Sequence, residues 1–314
     1  MAAPPHTIAI IGSGLIGRSW AVVFARLGAR IRLYDPSQQA LADARKWLGE
    51  ALAAESPLAA AADIGFCGTV AEAVDGATHV QENAPEILEA KRTLYRDLDR
   101  LVAPGIPICS STSALLPSAL FEGLEGASRF LVAHPTNPPH VIPVVEIVPS
   151  PWTSGEALAA VEVLLSQCGQ ETVRLRHEVP GFLLNRLQAA LVNEALRLVE
   201  EEVAVPDDLD KVIRSGLGLR WAFIGPFETM DLNARGGFED YAERLGGVHA
   251  ALDRVTSSPS PWDGAAPASV GQARRQVLPA ARIAARQQWR DRQIVALRAL
   301  KASAERDFSK ESQI

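Results

Sequence analysis

The sequence predicts an α/β protein with two domains: a doubly wound, mainly parallel sheet in residues 1–178 and an all-α domain in residues 179–314. Two observations predict the sheet. Short apolar segments rich in β-branched residues alternate with segments of helical spacing, which is typical of parallel strands covered by helices. A glycine-rich turn directly follows the first of these segments. The helical domain is predicted because the apolar residues after Glu178 recur at helical intervals.

Each element of the first domain follows from its local pattern. Strands are expected where short apolar runs are bounded by turn residues, at 6–11, 30–34, 78–82, 106–110, 130–133 and 144–148. Residues 63–69 are expected to form a short strand or a turn. Helices are expected where apolar residues are spaced three or four apart, or where alanine and leucine mix with charges, at 15–27, 36–62, 70–74 and 88–101.

The second domain is predicted to begin with a helix at 180–201. Its apolar residues lie on both sides, so we expect it to be buried on more than one face. Residues 207–210 are expected to start the next helix with capping side chains and N-terminal carboxylates. Serine and proline in residues 256–268 predict a loop. The basic segment 270–310 predicts a helix with a solvated face and a packing stripe of Ile294, Leu297 and Leu300.

The turn Gly12-Ser13-Gly14-Leu15-Ile16-Gly17 predicts a dinucleotide-binding site of the Rossmann type. Gly12 permits the tight turn, Gly14 lets a pyrophosphate approach the backbone, and Gly17 lets the next helix pack close to the sheet. That helix, which begins at Leu15 and Ile16, presents unpaired N–H groups and a positive dipole end to the phosphates. A purely structural glycine turn is the alternative.

Asp35 ends the second predicted strand and completes the dinucleotide pattern. A carboxylate there accepts hydrogen bonds from both hydroxyls of the adenosine ribose. It would repel the 2′-phosphate of NADP. The sequence therefore predicts NAD as the cofactor.

Composition excludes several classes of protein. A net charge of −6 over 314 residues gives no reason to expect nucleic acid or an anionic membrane as a partner. No apolar run is long enough to span a bilayer, and the first six residues lack the basic residues and apolar core of a signal peptide. Cys67, Cys109 and Cys168 are far apart and form no CxxC motif, so we expect a cytoplasmic protein. We expect no metal site.

Four polar residues end strands or begin the second domain, where ligands bind in open α/β sheets. His134 follows one apolar strand, and Glu146 on the next strand can reach one of its ring nitrogens. Such a carboxylate fixes the tautomer and raises the basicity of the other nitrogen, which suits a general base. Ser113 can donate to or accept from a substrate oxygen, and Asn185 can point back across the cleft. Taken singly, each residue also fits a structural role.

Several separated motifs resemble the 3-hydroxyacyl-CoA dehydrogenase superfamily, and over nearly its full length the chain looks like the lambda-crystallin/L-gulonate 3-dehydrogenase branch. The motifs are GSGLIGRSW at 12–20, SSTS at 110–113, HPTNPP at 134–139, GFLLNRL at 181–187, GLGLRWAFIGPFETM at 216–230 and QWRD at 288–291.

The resemblance implies roles for individual residues. His134 and Glu146 match the catalytic histidine and its carboxylate partner, and Ser113 and Asn185 match the contacts to the substrate oxygen. Three further positions match residues that belong to the cofactor site: Glu86, Lys91 and Asn137. The family's dimers, together with the apolar helix at 180–201, predict a homodimer formed through the C-terminal domain.

Two motifs depart from the acyl-CoA members and concern the substrate. This chain has Ser-Thr-Ser at 111–113 where those members carry Asn-Thr-Ser, and Arg220-Trp221-Ala222 where they carry an apolar or proline-containing turn. The Arg220 guanidinium can hold a free carboxylate through two hydrogen bonds, and a thioester has no such group. The alternative is a surface arginine, or one that pairs with Glu228 or with a helix end. L-Carnitine dehydrogenases look similar here, so Trp221 can face a quaternary ammonium or pack against the core.

The sequence therefore predicts an NAD-dependent dehydrogenase that reversibly oxidises a 3-hydroxy acid with a free carboxylate, such as L-gulonate, to the 3-oxo acid. Two enzymatic alternatives are a short-chain 3-hydroxyacyl-CoA dehydrogenase and an L-carnitine 3-dehydrogenase. The alternative from another class is a structural, NAD-binding protein of the kind found in the lens.

Overall fold

The computed structural model describes residues 6–255 and 265–311, and the chain divides after Arg186 into two compact units. The first unit contains an eight-stranded sheet with helices, and the described part of the second contains helices. This confirms the predicted α/β class, with an N-terminal Rossmann-type sheet and a helical C-terminal part.

The sheet is mainly parallel, as predicted. Its strands are β1 (Thr7–Ile11), β2 (Arg30–Tyr34), β3 (Ile64–Cys67), β4 (His79–Glu82), β5 (Ile108–Ser110), β6 (Phe130–Pro135), β7 (Val144–Pro149) and β8 (Glu171–Arg174). They lie in the order β3-β2-β1-β4-β5-β6-β7-β8. The strands β1 to β6 are parallel, whereas β7 pairs antiparallel with β6 and parallel with β8. The strand order reverses between β1 and β4, which is where open α/β sheets bind ligands.

Helices cover both faces of this sheet. They are α1 (Leu15–Ala25), α2 (Gln38–Ala53), α3 (Pro57–Ala60), α4 (Val70–Val74), α5 (Leu88–Leu101), α6 (Pro117–Phe121) and α7 (Gly155–Gln167). Four of them begin where a hydroxyl accepts a hydrogen bond from a backbone N–H of the first turn: α2 at Ser37, α3 at Ser56, α4 at Thr69 and α7 at Ser154. Such caps satisfy donors that the helix itself leaves unpaired.

Alternate residues of β1 pack into two separate cores, because side chains alternate between the faces of a strand. Ile8 and Ile10 pack with side chains of α1, α2 and α7. Ala9 and Ile11 pack with side chains of α4, α5 and α6. The central strand is therefore buried on both sides, which explains its continuous apolar sequence.

The remaining helices are α8 (Leu184–Glu200), α9 (Pro206–Val212), α10 (Gly218–Trp221), α11 (Pro226–Leu232), α12 (Gly237–Val255), α13 (Ala266–Val277) and α14 (Ile283–Glu311). In the second unit, Phe227 of α11 and Phe238 of α12 lie edge to face with ring centroids 6.0 Å apart. Arg274 of α13 pairs with Asp210 of α9 at 3.2 Å.

Two strand predictions need correction. β6 continues through Pro135, so His134 lies within the strand instead of directly after it. β8 was not predicted, because Glu171-Thr172-Val173-Arg174 is mostly polar and its apolar content does not stand out.

The predicted start of α8 is wrong, and its predicted burial on more than one face is not seen within the single chain. The helix begins at Leu184 and not at residue 180, because Gly181 and Phe182 have positive φ angles of 79° and 51°. It is also not buried on several faces: Leu196 is its one buried residue, and Leu187 is 72% exposed. Within the described residues, the side of α8 that carries Leu187 and Leu191 is exposed.

Three other predictions for the second domain are corrected in part. The N-cap of α9 is Val205, which offers no side-chain cap, although the expected carboxylates do lie in the first turn. Residues 266–268 belong to α13 and not to a loop, and residues 256–264 lie outside the described part. In α14, Leu297 and Leu300 are exposed, so the predicted packing stripe is not buried within this chain.

In the described residues, no helix combines the length and the apolar character that crossing a membrane requires. The same residues contain no cluster of three or more His, Cys, Asp or Glu side chains able to hold a metal ion. Cys67, Cys109 and Cys168 are free and buried. Burial raises the pKa of each thiol, which disfavours the reactive thiolate form.

Candidate functional site

The polar residues singled out in the first domain lie at one edge of the sheet. Strands β1, β2, β4, β5 and β6 are parallel, so their carboxyl ends meet there. The glycine turn follows β1, Asp35 follows β2, the turn containing Ser113 follows β5, and His134 is the penultimate residue of β6. β1 and β6 are three strand spacings apart, roughly 14 Å. A dinucleotide bound over β1 can therefore extend along this edge towards His134.

The glycine turn has the geometry that a pyrophosphate requires. A Cβ on Gly12, whose φ is +98°, would lie 2.7 Å from the Asn83 carbonyl oxygen, and one on Gly17 would lie 1.8 Å from the Gly12 carbonyl oxygen. Both positions therefore require glycine. A Cβ on Gly14 would meet nothing within 4 Å. The space beside Gly14 is thus open where the predicted phosphate approaches the backbone.

The N-terminus of α1 faces the same space. Its N-cap is Gly14, with no side-chain cap and no acidic residue in the first turn. The N–H groups at Leu15 and Ile16 are consequently left without a side-chain acceptor, as the prediction of an anion site requires. This open, uncapped helix start fits the diphosphate of NAD.

The Asp35 carboxylate is held in a fixed orientation. Its Oδ2 accepts hydrogen bonds from the Ser13 backbone N–H at 2.8 Å and from the Ser13 hydroxyl at 3.0 Å. Its Oδ1 accepts one from the Ser37 N–H at 2.9 Å. Each carboxylate oxygen has further lone pairs for the ribose hydroxyls. Sequence reasoning did not identify Ser13 as the residue that orients Asp35.

His134 and Glu146 form a buried pair. They lie directly opposite each other on the antiparallel strands β6 and β7, and Nδ1 of His134 is 2.7 Å from Oε2 of Glu146. A carboxylate on Nδ1 keeps the proton there and leaves Nε2 as the basic nitrogen. The structure thus brings together the two residues that the sequence predicts to be a pair.

The second oxygen of Glu146 is also engaged. Oε1 accepts the backbone N–H groups of Leu183 at 2.7 Å and Leu184 at 2.8 Å, at the start of α8. Burial raises the pKa of Glu146, but the hydrogen bonds from His134 and from these two amides together lower it below its ordinary value. Glu146 is therefore a stable carboxylate at neutral pH.

Phe182 was not predicted as part of the site. It is fully buried, and its ring lies against His134 with centroids 5.4 Å apart. Its positive φ turns the chain so that the next two amides face Glu146. A positive φ at a bulky residue is uncommon and depends on tertiary packing, so no local signal identified this residue.

Ser113 and Asn185 are also brought together. The Asn185 side-chain N–H donates to the Ser113 carbonyl oxygen at 2.7 Å. Asn185 directly follows Leu184, whose amide is bound to Glu146. One path of hydrogen bonds and adjacent backbone thus runs from His134 through Glu146 and α8 to Ser113. All four predicted catalytic residues lie on it.

The three remaining predicted cofactor positions differ in exposure. The Glu86 Oε1 accepts hydrogen bonds from the Thr112 hydroxyl at 2.8 Å and from the Ser113 N–H. Lys91 is only 1% exposed, and its ammonium donates to both oxygens of Glu82 at 2.8 and 3.0 Å. Asn137 is exposed in the loop after β6. The structure therefore gives Lys91 a buried partner, Glu82, that sequence reasoning missed.

Arg220 belongs to the second unit. It lies on α10 and is exposed, and within the described residues no hydrogen bond or ion pair joins it to Glu228. The neighbouring Trp221 is 38% exposed. Arg220 is therefore not paired with Glu228 in the part of the chain that the structure describes.

Comparison with known proteins agrees with this geometry. Residues 7–179 match the family model of the 3-hydroxyacyl-CoA dehydrogenase NAD binding domain, and residues 181–261 match that of the C-terminal domain. The chain is 44% identical over 307 residues to a lambda-crystallin homolog of Mus musculus, covering 94% of this chain and 96% of that protein. It is 38% identical over 231 residues to the L-carnitine dehydrogenase of Pseudomonas putida, covering 72% of each.

A solved structure is similar over nearly the whole length. It is a 5-formyl-3-hydroxy-2-methylpyridine 4-carboxylic acid 5-dehydrogenase, described as an NAD+-dependent dismutase. It superposes with a TM-score of 0.77 at 28% identity and covers 95% of this chain and 99% of that one. The chain therefore belongs to the lambda-crystallin branch of the 3-hydroxyacyl-CoA dehydrogenase superfamily, and it is an NAD-dependent dehydrogenase that acts on the CH–OH group of a 3-hydroxy compound.

Proposed function

We propose that this dehydrogenase reversibly oxidises a 3-hydroxy acid with a free carboxylate, of the L-gulonate type, to the 3-oxo acid. The path of contacts from His134 through Glu146 and α8 to Ser113 carries the proposal. It combines a general base, a carboxylate that stabilises the charged base, and two groups able to hold an alcohol oxygen.

His134 is the proposed general base. Its Nε2 accepts the hydroxyl proton of the substrate while the C–H bond of the same carbon gives up a hydride, so the C–O single bond becomes a carbonyl. When bound, NAD supplies the acceptor for that hydride. Glu146 lies 2.7 Å from Nδ1 and stabilises the imidazolium that forms. In the reverse direction His134 returns the proton.

Ser113 and Asn185 are proposed to position the substrate oxygen. The Asn185 amide donates to the Ser113 backbone carbonyl, so the two residues start from a defined relative position. Preorganised groups of this kind contribute to rate by orienting the reacting atoms. Glycines 12, 14 and 17, with Leu15, Ile16, Asp35, Glu86, Lys91 and Asn137, are the proposed cofactor site.

Arg220 is proposed to hold the substrate carboxylate. It is exposed and is not paired with Glu228 within the described residues, so its guanidinium is available for two hydrogen bonds to a carboxylate. The likeness to an L-carnitine dehydrogenase favours one second candidate, since L-carnitine is also a 3-hydroxy acid with a free carboxylate. A 3-hydroxyacyl-CoA thioester is a further candidate substrate, which membership of the family supports.

A comparison of three substrates tests the proposal. We expect the kcat/KM for L-gulonate, measured by NADH formation, to exceed that for L-carnitine and for 3-hydroxybutyryl-CoA. The variant Arg220→Ala should lower kcat/KM for the free acids by about tenfold to a hundredfold and leave the thioester unaffected. A preference for the thioester, or an equal loss for all three substrates in the variant, would contradict the proposal.

We also propose that the protein is a cytoplasmic homodimer. Leu187 of α8 and Leu219 and Phe227 of the second unit are all more than half exposed in the single chain. Large exposed apolar surfaces are typical of interfaces. The free, buried cysteines are compatible with a reducing compartment. Light scattering at micromolar concentration should give the mass of a dimer, and a monomer would exclude the homodimer.

A further inference from the structure

A buried ion pair lies beneath the turn that bears Ser113. Lys91 belongs to the proposed cofactor site, but nothing above gives its partner Glu82 a role. Glu82, the last residue of β4, and Lys91 of α5 are almost completely buried. The Lys91 ammonium donates to both Glu82 oxygens at 2.8 and 3.0 Å. Burying two charges is costly unless each is fully paired. A buried ion pair next to the turn that bears Ser113 therefore needs an explanation.

Both carboxylate oxygens of Glu82 accept hydrogen bonds from several groups. Besides Lys91, its Oε2 accepts the Ser110 hydroxyl at 2.9 Å and the Tyr95 hydroxyl, and its Oε1 accepts the backbone N–H of Ala84. Burial and the nearby Glu82 charge raise the pKa of Tyr95 well above its ordinary value, so Tyr95 remains a donor. This network fixes the Glu82 carboxylate, and through it the Lys91 ammonium.

Lys91 faces a second carboxylate. Its ammonium lies 3.8 Å from Oε2 of Glu86, which is partly exposed. The other oxygen of Glu86 accepts the Thr112 hydroxyl at 2.8 Å and the Ser113 backbone N–H. The Lys91 charge therefore attracts one oxygen of Glu86 and leaves the other to hold the turn.

The end of this series of contacts is the proposed substrate site. The Ser113 carbonyl accepts the Asn185 side chain at 2.7 Å. We propose that Glu82 is a positioning residue that acts through Lys91 and Glu86 to fix Ser113, and with it Asn185, in the geometry that receives the substrate oxygen. The inference rests on the proposed function of Ser113, and it assigns to Glu82 a role that needs no contact with substrate.

The double variant Glu82→Gln/Lys91→Met separates positioning from stability. It removes both charges, so it avoids the unpaired buried ammonium that Glu82→Gln alone would leave. If the pair only stabilises the fold, the double variant should lower the melting temperature and leave the hydrogen exchange of the Ser113 amide unchanged. If the pair positions Ser113, the variant should melt near the wild-type temperature, but the Ser113 amide should exchange hydrogen about tenfold faster.

Activity provides a second measurement. With NAD saturating, so that the loss of Lys91 from the proposed cofactor site is not limiting, Glu82→Gln/Lys91→Met should lower kcat/KM for the best hydroxy acid about tenfold. Adding Ser113→Ala should cause little further loss, because both changes act through one residue. Effects that multiply would overturn the proposal, as would an unchanged exchange rate at Ser113. If the wild-type protein oxidised none of the acids, the proposed function would fail, while the exchange measurement would still decide the role of Glu82.

Two further variants complete the test. Should the double variant not fold, Lys91→Met leaves Glu82 with three donors and should show the same faster exchange at Ser113. The matched control is Asp99→Asn/Arg129→Met, which removes a largely buried ion pair of 2.9 Å next to the amino end of β6. It should leave exchange in residues 111–115 unchanged. Faster exchange there in the control would show that any buried pair has this effect and would overturn the proposal.

Discussion

Replacing Glu146 by Gln should remove the base function of His134 while keeping the shape of the site. The side-chain carbonyl of Gln can accept hydrogen bonds on one atom, and its NH2 group can only donate. In the native protein one Glu146 oxygen accepts the amides of Leu183 and Leu184, and the other accepts His134 Nδ1–H. Gln cannot accept hydrogen bonds from α8 and from His134 at the same time.

The free-energy cost of each orientation decides which way the Gln amide points. Turning its NH2 towards α8 would leave the partly buried N–H groups of Leu183 and Leu184 without acceptors, at up to about 1–3 kcal/mol each. Turning its carbonyl towards α8 satisfies both amides, and the NH2 then faces His134. Nδ1 must accept in that arrangement, so the proton moves to Nε2. The nitrogen that should receive the substrate proton is then already protonated, and we expect kcat to fall about 10²–10⁴-fold.

The assay is steady-state oxidation of the best hydroxy acid, with NAD affinity and melting temperature measured alongside. NAD affinity should be close to that of the wild type, because Glu146 is not among the proposed cofactor contacts. Glu178→Gln is the matched control: its carboxylate also accepts a backbone N–H, from Ser118 at 2.7 Å, but has no histidine partner. A kcat for Glu146→Gln within about threefold of the wild type would refute the reasoning.

Three other predictions concern separate parts of the protein. His134→Ala should lower kcat by about two to four orders of magnitude with little change in NAD affinity, and near-normal turnover would exclude it as the base. Gly17→Ala should prevent normal folding, because its Cβ would lie 1.8 Å from a carbonyl oxygen. Gly14→Ala should fold, but it should weaken NAD binding, measured by calorimetry, about tenfold or more. Burial lowers the pKa of His79 to about 4. Between about pH 6.5 and 4 the unfolded chain therefore binds a proton that the folded chain does not. The free energy of unfolding should fall with falling pH by up to about 1.4 kcal/mol per pH unit. His79→Gln should flatten that slope in urea unfolding, and an unchanged slope would contradict this explanation.

The sheet could be predicted from the sequence because its signals are local. The apolar run at residues 7–11, the glycine turn and Asp35 follow one another in a single βαβ unit. The strand β8 could not be found in the same way, because its short polar sequence is held mainly by pairing with β7. The antiparallel course of β7 likewise depends on the sheet and not on its own residues.

The candidate site was predictable as a set of side chains, and less so as a network. His134 and Glu146 lie on consecutive strands, so their pairing follows from strand geometry. The two amides on Glu146 depend on the positive φ of Phe182, which no local pattern predicts. Glu82 was missed because a carboxylate that ends a strand resembles a surface residue, and only the packing of α5 places Lys91 on it.

A crystal structure of the protein with NAD and an unreactive hydroxy-acid analogue would test the proposed chemistry most directly. The proposal predicts that Nε2 of His134 lies within about 3 Å of the hydroxyl oxygen of the bound acid. An imidazole separated from that oxygen by another side chain, with a different residue at hydrogen-bond distance, would contradict it.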